Sequence, residues 1–177
     1  AKLKTLISYL FEENGYHGSR QDYYNKANSY MNRVLDDREG LPITLSVLVM
    51  ELAAECGIDG VVGVGAPGHF IIKHVNGDKE QFIDPFDNGN YLSRADAEEL
   101  VRANTGRSFV PEYLAKSGER DIVLRMLRNL MGVAQESEPS AELLSYVETV
   151  VALQPDSAFD RWSRAVLLIQ SRQFGAA

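Results

Sequence analysis

His69 and Asp84 stand either side of Asn76-Gly77, inside the stretch VGAPGHFIIKHVNGDKEQFIDPF from Val64 to Phe86. Asn-Gly between two apolar runs is the strongest short-range signal for a two-residue type I′ hairpin. With Asn76 and Gly77 as the loop, Val75 faces Asp78, Lys73 faces Glu80, Ile71 faces Phe82 and His69 faces Asp84. Successive strand residues alternate sides, so the last three pairs share one face. An ion pair, an apolar pair and a His–carboxylate pair agree with one another in this register. A turn at Gly77-Asp78 sets His69 against Phe86 and Lys73 against Phe82, a poorer set. Facing residues have Cβ atoms ~5 Å apart. At that distance a carboxylate can orient an imidazole for acid–base chemistry. The structural alternative is that the pair ties the hairpin to a neighbour and does nothing else. Catalysis by such a pair would need a nucleophile.

The elements that must position this pair follow from periodicity. Leu3, Leu6, Ile7, Leu10 and Phe11 make one face of a helix over 1–14, stopped at Gly15. Residues 15–22 read as a loop, with His17 solvated in it. Residues 23–37 read as a helix, with Tyr24, Ala27, Met31, Val34 and Leu35 as its buried stripe and Asn28 and Asn32 one turn apart. Residues 41–56 read as the central helix. Pro42 suits its first position, where a missing N–H costs nothing, and the run Ile43 to Leu52 is apolar nearly all round. Strands are expected at Val61–Val64, Phe70–Val75 and Gln81–Ile83, and a helix over 94–104 behind the N-cap Ser93. His74 falls on the opposite hairpin face, at the surface. Three amphipathic helices follow, over 119–134, 139–153 and 157–171. Helices of this length with Pro155-Asp156 between units match a tetratricopeptide pattern, with one unit of roughly 34 residues at 124–157. A second unit starts near Ala158 without its second helix. Together with a start at Ala1 inside a helix, this reads as a chain cut at both ends.

Composition narrows the function classes. Eighteen basic against 25 acidic residues give a net charge of −7, with no Lys/Arg cluster, which argues against nucleic acid and anionic membrane surfaces. No apolar stretch approaches the ~20 residues needed to cross a bilayer, and no secretory signal is visible. The single cysteine, Cys56, excludes an internal disulfide and a Cys-based metal site. These features favour the cytoplasm. A metal held by His69 and Asp84 lacks a third ligand at sensible spacing, so neither metal nor other cofactor is expected.

Three ordered motifs carry a family resemblance: Asn28-Ser-Tyr-Met-Asn32-Arg-Val-Leu-Asp-Asp-Arg38-Glu-Gly-Leu-Pro42-Ile-Thr-Leu-Ser46, then Pro67-Gly68-His69-Phe70, then Asp84-Pro85-Phe86. The chain resembles bacterial SirB-type proteins of the transglutaminase-like superfamily. The resemblance implies a papain-like core followed by tetratricopeptide-like helices, and a related region occurs in an F-box-only protein of animals. Active members of the superfamily resemble cysteine proteases: a Cys at the start of a buried helix, where the dipole lowers its pKa, and a His and an Asp on following strands. The His matches His69 and the Asp matches Asp84. The Cys position falls on Pro42. Cys56 lies 14 residues further on, ~21 Å along a helix, and reads as a small buried hydrophobe.

Two hydroxyls near the helix start could replace the thiol. Thr44 and Ser46 would each need His69 as base. Otherwise they bond back to helix carbonyls or pack against neighbours. Asn32 and Arg38 could line the same pocket, or serve as a surface amide and a carbonyl-satisfying charge. The expected fold is α+β: a papain/transglutaminase-like core over 1–115, with a buried helix on a small antiparallel sheet, and an all-α helical-repeat region over 116–177. The expected function is a non-catalytic domain for protein interaction or regulation that keeps a His69–Asp84 triad remnant and has a protein partner. The alternatives are a hydrolase or acyltransferase using Thr44 or Ser46, and small-molecule binding in the residual cleft.

Overall fold

The computed structural model describes residues 1–106, 108–135 and 141–171. The chain divides into two compact units, Ala1–Gly118 and Glu119–Ala177.

The first unit is built on α3, Pro42–Glu55. Its run Ile43, Leu45, Leu48, Val49 and Ala53 is buried on several sides, as an all-round apolar helix must be. Leu3, Ile7, Leu10 and Phe11 pack against Leu48 and Val49 together with Ile72 and Ile83 of the sheet. The first four of these come from α1, Lys2–Ser8, and the π-helical stretch Tyr9–Glu13 that continues it. The expected helix over 1–14 is therefore present as these two pieces.

Two short strands, β1 His17–Gly18 and β2 Glu39–Gly40, pair in parallel, and the larger sheet is antiparallel in the order β3-β4-β5-β6: Val61–Val64, Ile71–Asn76, Lys79–Asp84 and Asn90–Leu92. Its other face carries Val64, Ile71 and Phe82, which pack with Ala97 and Leu114. Ala97 belongs to α4, Arg94–Thr105, capped by the Ser93 hydroxyl as expected. Both faces of the hairpin root are thus covered. This gives three consecutive buried residues on each strand in place of an alternating pattern.

The hairpin register differs from the expected one. Ile72 pairs with Ile83, Lys73 with Phe82 and Asn76 with Lys79, so the loop is Gly77-Asp78. Gly77 has φ +59° while Asp78 has no positive φ, the residue pattern of a type II′ turn. The reason lies in burial at the root. This register sets Ile72 beside Ile83, both fully buried, and that outweighs the local Asn-Gly preference. A shift of two residues leaves every side chain on its original face. The Lys73–Glu80 ion pair therefore persists at 2.7 Å, as a diagonal rather than a facing pair. Lys73 is buried and also donates to the Leu114 carbonyl at 3.2 Å.

Two further expectations are corrected. Residues 23–37 are not one helix. Lys26–Ser29 form a 3-10 turn, Tyr30 is extended at φ −99° and ψ 120°, and α2 runs Met31–Asp37. The asparagines cause this, because their side chains compete with the helical backbone. Asn25 accepts the Ala27 N–H, and Asn28 donates to the Asp22 carbonyl at 2.7 Å. Val34 is buried as expected, but Tyr24 and Leu35 are exposed. Cys56 is exposed rather than buried, because α3 has left the core after Ala53 and ends there.

The second unit contains α5 Glu119–Gln135, α6 Ala141–Leu153 and α7 Ala158–Gln170. Leu124, Met131 and Ala134 of α5 pack against Leu143, Val147 and Val150 of α6. Arg128 holds Asp160 with both ends of its fork, at 2.6 and 2.8 Å. The Asp160 side chain is 0% exposed. The Arg128 hydrogen bonds hold its carboxyl below the usual carboxylate range, against the opposing effect of burial.

Candidate functional site

Asp84 ends β5 and caps the 3-10 turn Pro85–Asp87. Its Oδ1 accepts the N–H of Phe86 at 3.0 Å and that of Asp87 at 3.3 Å. Its Oδ2 lies 2.9 Å from His69 Nε2. The two side chains are 5% and 11% exposed. His69 precedes β4, in the turn after Pro67-Gly68 where its N–H donates to the Ala66 carbonyl. The structure thus brings His69 and Asp84 together through the strand ends, independent of the turn residues. Asp-Pro at a strand end is itself a capping signal, Asp at the N-cap and Pro at the first turn position. It could have shown from the sequence that one oxygen of Asp84 serves the backbone.

The hydroxyl candidates are placed differently from one another. Thr44, in the first turn of α3, is buried, and its Oγ1 accepts the Leu41 N–H at 2.9 Å. The hydroxyl donates to the Asn28 carbonyl at 2.9 Å, with the Leu41 carbonyl at 3.2 Å. Thr44 therefore closes the start of α3 onto the 3-10 turn Lys26–Ser29. Ser46 is fully buried, and its Oγ has no hydrogen-bond partner among the described residues; the hydroxyls of Ser19 and Ser29 share that condition. Neither candidate hydroxyl bonds to His69. Pro42 is buried at the first position of α3. Arg38 is exposed, caps α2 at φ +57° and donates to the Asn14 carbonyl at 2.8 Å, so it ties two segment ends together. Asn32 is exposed on α2, away from the buried Asn28. Neither is drawn to the His69–Asp84 pair. His17 is exposed and His74 half-buried.

Around the pair lies a cluster that periodicity did not single out. The Phe86 ring meets His69 edge-on at 5.9 Å, and Tyr23 meets Phe86 at 6.0 Å. The Arg20 guanidinium sits over the Phe86 ring at 5.2 Å and bonds Asp87 at 2.7 Å. Gly18 makes the close approach possible: a Cβ there would stand 2.4 Å from Phe86 Cδ2. The visible signal was Gly18 itself, a small residue in the loop that leads into Tyr23 and Tyr24. Among the described residues no group of three or more His, Cys, Asp or Glu side chains could hold a metal ion, and no helix is long and apolar enough to cross a membrane.

In the first unit a buried His–Asp pair follows a buried helix. Residues 1–128 match the model of the transglutaminase-like superfamily. The chain belongs to that superfamily. It is similar to a UPF0162 protein of Xylella fastidiosa strain 9a5c, 33% identical over 90% of this chain and 59% of that protein. A UPF0162 protein of Pasteurella multocida is 24% identical over 96% of this chain and 64% of that protein. Human F-box only protein 21 is 27% identical over 93% of this chain and 26% of its own length. The chain therefore spans less than two thirds of each of these relatives. No solved structure matches it.

Proposed function

We propose that this chain is a non-catalytic transglutaminase-like domain of SirB type, joined to tetratricopeptide-like helices and working in the cytoplasm as a protein-interaction module. The observation that carries the reading is how the site's hydrogen bonds are used. Asp84 divides its two oxygens between His69 and the capped turn. Thr44 uses its hydroxyl on backbone groups. Pro42 occupies the helix start where the superfamily's active members resemble cysteine proteases with a thiol, and Cys56 lies at the opposite end of the 14-residue α3. A His–Asp pair without a bonded nucleophile orients an imidazole but transfers no acyl group. Its role here is to clamp β4 and β5 to the Pro85–Asp87 turn.

One observation favours the hydrolase reading: Ser46 Oγ has no partner, so its proton is not spent elsewhere. A fluorophosphonate probe separates the two. The non-catalytic reading expects no labelling between pH 6 and 9. Labelling of Ser46 that disappears in His69→Ala would overturn it and establish the enzyme.

A further inference from the structure

Tyr24 is 70% exposed, more than any other large hydrophobic side chain among the described residues. It is the outer end of an aromatic run that starts at the buried pair. His69 meets Phe86 at 5.9 Å and 80°, Phe86 meets Tyr23 at 6.0 Å and 75°, and Tyr23 meets Tyr24 at 5.3 Å and 77°. Each step is edge-to-face, a favourable arrangement for aromatic pairs. Exposed aromatics in a continuous row mark interaction surfaces more often than scattered ones do.

The row has a rigid base. Phe86 is held from below by the Asp84 cap on its N–H and from the side by the Gly18 backbone. A recognition surface whose anchors are already ordered loses little entropy on binding. Arg20 adds a charge. Its guanidinium lies over Phe86 and pairs with Asp87, and the two side chains are 59% and 49% exposed. An ion pair this open contributes little by itself, so a ligand carboxylate can exchange with Asp87 at small cost. The stacked, planar fork suits a carboxylate better than a lysine would. Nucleic acid also stacks on aromatics beside arginine, but the chain carries −7, and Asp22 and Asp87 flank the row.

We infer that the row Phe86–Tyr23–Tyr24 with Arg20 binds an extended peptide that presents a carboxylate next to a proline or other apolar residue. The apolar residue lies on Tyr23 and Tyr24, and the carboxylate pairs with Arg20. The inference rests on the protein-interaction reading above and adds the location and the ligand chemistry.

The full chain is panned against phage-displayed random dodecapeptides, in one library with free C-termini and one with internal display. Recovered peptides are titrated by fluorescence polarisation. The expected motif joins Asp, Glu or a free C-terminus to Pro or an apolar residue. A synthetic peptide made as acid and as amide tells a C-terminal carboxylate from a side-chain one. Tyr24→Ala and Arg20→Gln, both at exposed positions, should each weaken binding about tenfold with an unchanged far-ultraviolet CD spectrum. Arg20→Gln should have no effect on the Asn or Gln counterpart of an acidic peptide. No enriched motif, or a motif bound equally well by both variants, overturns the inference. Peptide binding through another surface would overturn this placement and leave the protein-interaction reading standing. Acyl-probe labelling that depends on His69 would defeat that reading itself.

Discussion

Each unit of the molecule buries one aspartate against a basic partner, and the two pairs are built differently. In the helical unit Asp160 takes both its oxygens to the two ends of the Arg128 fork. In the core unit Asp84 gives one oxygen to His69 and the other to backbone N–H groups. Arginine stays charged at every pH a protein survives, and its bidentate geometry is suited to holding elements in place. Histidine changes charge near neutrality and offers one bond to the carboxylate. The arginine pair holds α5 to α7. The histidine pair has the form used for proton transfer, but the Thr44 hydroxyl is bonded to backbone groups rather than to it. A buried ionic contact is therefore read from what its remaining oxygens do.

The comparison is tested most severely at Arg128. Arg128→Met leaves the Asp160 carboxylate buried and unpaired, which should cost about 3 kcal/mol, the low end for breaking a buried pair because Arg128 is partly open to solvent. The loss should appear in urea unfolding followed by far-ultraviolet CD. Arg128→Met combined with Asp160→Leu should recover most of it, since an apolar pair of similar volume can replace a buried ionic one. A double variant no better than the single one would mean that the fork itself specifies the packing of the three helices.

Acid tests the same pair without the arginine being changed. The folded-state pKa of Asp160 is lowered by the Arg128 hydrogen bonds. Such a group contributes stability that is fully present above its unfolded pKa of about 3.9. That contribution is lost as pH falls through the lower folded value. Denaturation midpoints measured from pH 6 down to pH 2 should therefore fall more steeply for the wild type than for Asp160→Asn. Parallel curves would remove Asp160 from the acid response.

The core pair should respond in two separable parts. Asp84→Ala removes the cap on Phe86 and Asp87 and strands His69, for a combined loss of about 2–3 kcal/mol. Asp84→Asn keeps an oxygen for the backbone N–H groups and loses only the charge, so roughly 1 kcal/mol is expected. Thermal unfolding of the two variants gives the split. Equal losses would show that the His69 contact, and not the cap, carries Asp84.

How much of this was legible depended on how local the deciding interaction is. The central helix could be read from Pro42 and the apolar run behind it, and α4 from Ser93 and Asp96, because helix starts are written within four residues. The His69–Asp84 contact was legible because its two strands are joined by a short loop. Tyr24 was misplaced on a helix stripe because the side chains of Asn25 and Asn28 settle that segment, and their targets are backbone groups that a hydrophobic pattern does not display. Cys56 was misread because composition says cysteines are buried, whereas position says the helix has already emerged. The Arg20–Phe86 stack joins residues far apart in the chain, and only the small size of Gly18 announced it.

The finest test concerns the hairpin, where the expected and observed registers exchange the roles of two neighbours. In the observed turn Gly77 has φ +59° and Asn76 is a strand residue paired with Lys79. Gly77→Ala should then cost about 1 kcal/mol, because alanine resists a positive φ. Asn76→Thr should be neutral or slightly stabilising, since a β-branched residue suits a strand better than asparagine does. An Asn76-Gly77 loop demands the opposite at residue 76: a β-branched side chain forced to positive φ would be the costlier change. Both registers keep Lys73 with Glu80 and His69 with Asp84 on one face, because they differ by two residues and the side-chain period is two. The core pair is thus insensitive to the turn that joins its strands. If Asn76→Thr proves costly while the Asp84 variants behave as above, the turn has moved and the site has not. That outcome would place the specification of the pair in the buried strand roots at Ile72 and Ile83.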